Sequence, residues 1–188
     1  YALLIGDLIM MVANQCRPYE IVAGSTDKAI EICMDAVTKR FTGERVIRYG
    51  EVKHLFQFVL DVFGKVRLDK TQKKKLVGIV GEILAKYHPV ANNHIEKVLM
   101  EEGAEVVMPD FVDFFLYSAY DPIVKHRLLD GKKRNSFFGR MFINIINFYR
   151  APMRKALKNS RHFLAPHKID ETAKLASRHV SLGNMAGE

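Results

Sequence analysis

The chain has 188 residues, of which 27 % are charged and 48 % hydrophobic, and its formal net charge is +8. That length suits one ordinary domain, or one domain with a helical annex, and the composition is that of a globular chain rather than a disordered one. No apolar run reaches the ~20 residues of a membrane span, and the stretch from Ala2 to Val12 lacks the basic leader and cleavage site of a signal peptide. The two cysteines, Cys16 and Cys33, form no CxxC pair, so neither a disulfide framework nor a self-contained four-thiolate centre is expected. A reducing, cytoplasmic setting follows. Tyr1 at the start, and Gly187-Glu188 close behind an expected strand, read as cut ends of a longer protein.

The first third reads as helical. Residues 2–15 form an apolar helix that Pro18 stops. Ser25-Thr26-Asp27 offers caps for a second helix to about Arg40, with Ala29, Ile30, Cys33, Ala36 and Val37 at helical spacing. Residues 50–64 repeat that spacing. After Lys73-Lys74-Lys75 the texture changes. Residues 76–80 are a β-branched apolar run followed by Gly81, the pattern of a buried parallel strand. A helix over 91–102 and a second strand over 104–108, stopped by Pro109, complete a βαβ unit. Residues 110–129 and 136–163 read as helices, the second with a wide apolar face and a kink or break at Pro152. His179 to Leu182 reads as a third strand. The expected fold is α/β: a Rossmann-like small parallel sheet with many helices and a helical N-terminal portion. The expected organisation is a helical part over 1–72 and a βαβ-containing part over 73–188, together one truncated domain.

Ligands of open parallel sheets lie outside the carboxyl ends of the strands. That rule selects Gly81, Glu82, His88, Asn92, Asn93, Asp110 and Asn184 as candidate ligand-binding residues around one concavity. Each also has a purely structural reading. Gly81 permits a turn, His88-Pro89 and Asn92 suit the start of a helix, and Asp110 suits a cap. No catalytic residue is assigned. Gly78-x-x-Gly81 is not a dinucleotide fingerprint, and no nucleophile elbow, zinc-protease helix or phosphate-loop motif occurs. The histidines show no metal-ligand spacing, so no metal site is expected in this stretch.

The charge is uneven. Residues 1–65 carry eight basic and eight acidic residues, residues 66–130 nine and ten, and residues 131–188 twelve and three. From Gly131 to Ile169 there are ten Lys or Arg and no acid. Such a stretch serves a solvated helix face, a partner contact or an anionic ligand. Its aromatics recur at helical core spacing, which argues against nucleic-acid stacking.

Residues 75–117, "KLVGIVGEILAKYHPVANNHIEKVLMEEGAEVVMPDFVDFFLY", closely resemble the large bacterial proteins related to activators of 2-hydroxyacyl-CoA (2-hydroxyglutaryl-CoA) dehydratase. The ending "SRHVSLGNMAGE" resembles the segment that follows there. "GDLIMMVANQCRPYE" is similar to a helix-plus-RPYE element of dehydratase and benzoyl-CoA reductase subunits. The resemblance implies Rossmann-like domains, acyl-CoA thioester substrates, and a [4Fe–4S] cluster held by cysteines elsewhere in the intact protein. It implies no cofactor for this stretch alone. The family's cluster cysteines are missing from the matched strands, and its dehydratases lack the HPVANN loop. The reading that results is a dehydratase-like domain, inert alone, whose partners are other domains of the same long chain and an acyl-CoA. The rival reading is an interaction domain that docks a partner through its basic helical face.

Overall fold

The computed structural model describes residues 1–42, 47–160 and 162–182. Eight α-helices and two strands follow in the order α1 (Ala2–Cys16), α2 (Ser25–Phe41), α3 (Tyr49–Phe63), β1 (Lys75–Gly78), α4 (Ile83–Tyr87), α5 (Ile95–Glu101), β2 (Ala104–Val107), α6 (Phe111–Leu128), α7 (Lys133–Ser160) and α8 (Ile169–Ala176), with a 3₁₀ turn at Arg17–Tyr19. The described chain is therefore mostly helical with a small parallel sheet, an α/β arrangement. It divides into two compact units. The first holds Tyr1–Asp110 and Pro152–Leu164, and the second holds Phe111–Ala151 and the chain from Ala165 onward.

The first unit is built on α1, α2 and α3. Their apolar stripes meet, burying Ile5, Leu8, Val12, Val52, Phe56 and Phe63 together with Cys16 and Cys33. Burying each large side chain contributes about 1.5–3 kcal/mol. Met153 and Leu157, on the last turns of α7, are fully buried in the same unit. The segment between α1 and α2 is wired by its RPYE residues. Arg17 pairs with Asp27 at 2.7 Å. The Tyr19 hydroxyl donates to Glu105 on β2 at 2.7 Å and accepts from the Lys74 backbone N–H. The Glu20 carboxylate accepts from the Gly24 and Thr26 backbone N–H groups, both at 2.7 Å, and from the Ser25 hydroxyl. It thereby caps α2, whose own N-cap, Gly24, has no side chain to offer and sits at φ +81°.

β1 and β2 are parallel neighbours in the register Lys75↔Ala104 to Gly78↔Val107, the pairing the βαβ pattern leads one to expect. Ile79, Val106 and Met108 form a small core with Tyr87, Ile95 and Leu99. Three details depart from the expectations. β1 ends at Gly78, and Leu76 and Val80 are exposed, because a two-stranded sheet leaves its first strand uncovered. The helix expected over 91–102 starts only at Ile95, because Asn93 and His94 take left-handed φ values of +54° and +53° and hold the chain in turns. The third strand is not formed over its described residues. The backbone N–H groups of His179 and Val180 both turn back to the Ala176 carbonyl, winding off the end of α8 instead of extending.

In the second unit α6 and α7 approach closely. A Cβ on Gly139 would lie 2.3 Å from the Ala119 carbonyl oxygen, so only glycine fits there. Arg150, 2 % exposed, ties α7 to Asp113 of α6 at 2.7 Å. α7 is unbroken at Pro152, so of the kink or break expected there the break does not occur.

Candidate functional site

Of the candidate residues, Gly81 lies three residues past the end of β1 at φ +142° and is exposed. The Glu82 carboxylate caps α4 by accepting from the Ala85 N–H at 3.1 Å. His88 ends α4, and its Nδ1 accepts from the Ala91 N–H at 3.3 Å. Asn92 binds the loop at both ends of its amide. Nδ2 donates to the Lys86 carbonyl at 3.0 Å, and Oδ1 accepts from Ile95 at the start of α5 at 3.4 Å. Asn93 is exposed, while Asp110 is buried immediately before α6. Asn184 lies outside the described residues. Glu82, His88 and Asn92 thus share one stretch of loop between β1 and α5, and each uses a side-chain atom to hold backbone. The Tyr87 hydroxyl adds a tie to the Pro109 carbonyl at 2.6 Å, joining this loop to the exit of β2.

A cavity of about 900 Å³ opens beside this loop, within the first unit. Of the seven candidates, only Asn92 is among its lining residues. Four bases (Arg17, Lys74, Lys86 and Lys97) line it, and so do four acids (Glu20, Asp27, Glu96 and Glu101). Arg17 is paired with Asp27, and Lys97 lies 3.8 Å from Glu101. Burial pushes the Glu96 carboxyl up in pKa, against a smaller downward pull from Arg17. The cavity offers hydrogen-bonding variety but no net attraction for an anion.

The cysteines are core residues. Burial pushes the Cys16 thiol up to about 12 and the Cys33 thiol up to about 11. Both are buried, and two thiols cannot supply the four thiolates that an iron–sulfur cluster takes. Among the described residues no group of three or more His, Cys, Asp or Glu could hold a metal ion. The donor set present does not fit an iron–sulfur cluster.

The feature the sequence pattern located but misdirected is the apolar face of α7. Core spacing led one to expect Phe137, Phe138, Met141, Phe142, Ile145, Ile146, Phe148 and Tyr149 inside. Ile146 is half-buried and the other seven are exposed, Phe137 at 62 % and Phe148 at 63 %. The buried side of this part of α7 carries Ser136, Gly139, Ile143 and Arg150 instead. The close glycine contact and the Arg150–Asp113 pair hold that side against α6. A shallow groove lined by Phe137, Arg140, Met141, Asn144, Ile145, Phe148 and Tyr149 runs along the outer face. The absence of any acid over residues 131–169 was the sequence signal for it. Compared with known proteins, the chain matches no family model, no curated protein and no solved structure. Among the described residues no helix is long and apolar enough to cross a membrane.

Proposed function

We propose that the chain is the dehydratase-like part of a 2-hydroxyacyl-CoA dehydratase activator-related protein, and that it works docked, through the outer face of α7, against another part of the same long polypeptide. The resemblance of residues 75–117 supplies the family. The docking role rests on one observation: seven large apolar side chains exposed together on one helix face. Contiguous apolar patches of that kind mark contact surfaces. The occupant is an acidic amphipathic segment. Ten basic residues and no acid lie between residues 131 and 169, and Arg140 borders the groove, so a second copy would set like charges together. The exposed flank of β1 supports the same incompleteness, and further strands of the long chain would extend the pair into a Rossmann-like sheet. Cluster thiolates would come from outside residues 1–188. The balanced charge of the Asn92 cavity leaves docking as the role the geometry supports best.

Photo-cross-linking from Phe148→p-benzoylphenylalanine in the full-length protein tests this. Cross-links to an Asp- and Glu-rich peptide of the same polypeptide outside residues 1–188 are expected. Cross-links to α7 of a second copy, or none at all, would overturn it.

A further inference from the structure

A second cavity, of about 760 Å³, lies wholly within the second unit, walled by α6, α7, the start of α8 and the segment after it. That volume is within the range of small-molecule sites. Its lining separates by chemistry. Ile123, Val124 and Ile143 give it an apolar wall, the last two buried. Arg127 from α6, Arg140 from α7 and Lys168 at the start of α8 bring three positive charges, and among the described residues Asp170 is the one acidic lining residue. None of the three cations forms a salt bridge among the described residues. The contrast with the first unit's cavity, four bases against four acids, is direct.

Cations gathered in a concavity without matching acids raise the local potential and concentrate anions there. Two arginines from different helices present planar donor forks suited to phosphate and carboxylate oxygens. The net lining charge, three cations less one acid, matches a phosphate monoester, which carries about two negative charges at neutral pH, better than a lone carboxylate. An inorganic ion would leave the apolar wall unused.

We propose that this cavity binds a small organic phosphate, its phosphate held by Arg127, Arg140 and Lys168 and its apolar portion packed on Ile123, Val124 and Ile143. The cavity shares Arg140 and Asn144 with the groove on the outer face of α7, but its cations and apolar wall do not depend on docking, and the family resemblance does not cover them.

Titration of the purified protein with phenyl phosphate, inorganic phosphate, benzoate and phenol tests it. Phenyl phosphate should bind saturably, and at least about tenfold tighter than each of the other three. Arg127→Gln and Arg140→Gln should each weaken it about tenfold, while Lys158→Gln, elsewhere on α7, should not. Both arginines are exposed, and an unchanged thermal transition confirms that each variant is folded. Equal binding of phenyl phosphate and inorganic phosphate would overturn the proposal, as would equal binding of benzoate. Affinity indifferent to both arginine variants, or equally reduced by Lys158→Gln, would overturn it too, and so would absence of saturable binding.

Discussion

α3 and α7 carry the same kind of apolar stripe and use it in opposite ways. In α3, Val52, Phe56, Val59, Leu60 and Phe63 are all buried. In α7 the stripe from Phe137 to Tyr149 is exposed, and the helix is held to α6 by a glycine contact and a buried ion pair. Helical spacing shows that a face is built to be covered. It does not show by what, and the other side of α7 competes for the interior because Gly139 and Ser136 allow close approach.

Truncation should expose the contrast most strongly. Phe56→Ala should cost about 3–5 kcal/mol in chemical denaturation, since a fully buried ring leaves a cavity. Phe148→Ala, the same change on α7, should move stability by no more than about 0.5 kcal/mol. Equal costs would break the comparison.

The second unit should instead be sensitive at its polar tie. Asp113→Asn removes the charge-assisted contact that the Asp113 carboxylate makes with Arg150 and should cost about 1.5–3 kcal/mol. A cost below that of Phe148→Ala would remove the ion pair from the account.

The helix cap of the first unit is a smaller effect. Glu20→Ala should destabilise by about 1–2 kcal/mol through the loss of the α2 cap. Burial alone would raise this carboxyl's pKa, but the hydrogen bonds from Thr26, Gly24 and Ser25 outweigh it and lower the pKa below the usual 4.5. The cap's contribution is therefore fully present above about pH 4.5 and is lost as pH falls through the lower folded value. Urea midpoints between pH 6 and 3 should converge for the parent and the Glu20→Ala variant.

A further effect, confined to alkaline pH, concerns the buried thiols. Their folded pKa values lie above the usual 9.0, so their contribution to stability is intact below pH 9 and declines as pH rises toward about 12. Replacing Cys16 and Cys33 by Ala should flatten the alkaline fall in stability over that window. An unchanged slope would contradict the burial argument.

Much of the first unit was legible from residues alone. The spacing around Cys33 and Val59 led directly to α2 and α3, and the two β-branched runs led to the parallel pair. What was not legible depended on context. The delayed start of α5 comes from left-handed Asn93 and His94, whose identities permit but do not require that conformation. Val80 reads as core only if a third strand lies beside it. Glu82, His88 and Asn92 were visible as a loop cluster, but the cavity charge balance depends on residues far apart in sequence, such as Arg17 and Glu101. The RPYE residues were noted for their resemblance, and their work as ties to β2 and α2 required the fold.

Methionine oxidation compares the two regions within one sample. Met141 on the α7 face and Met34 on α2 are both 46 % exposed, and Met153 is 0 % exposed. In the 188-residue chain, peroxide should oxidise Met141 and Met34 at similar rates and Met153 far more slowly. If an acidic segment of the same polypeptide covers α7, as proposed, Met141 in the full-length protein should slow by about tenfold relative to Met34. Equal rates for Met141 and Met34 in the full-length protein would contradict the docking role.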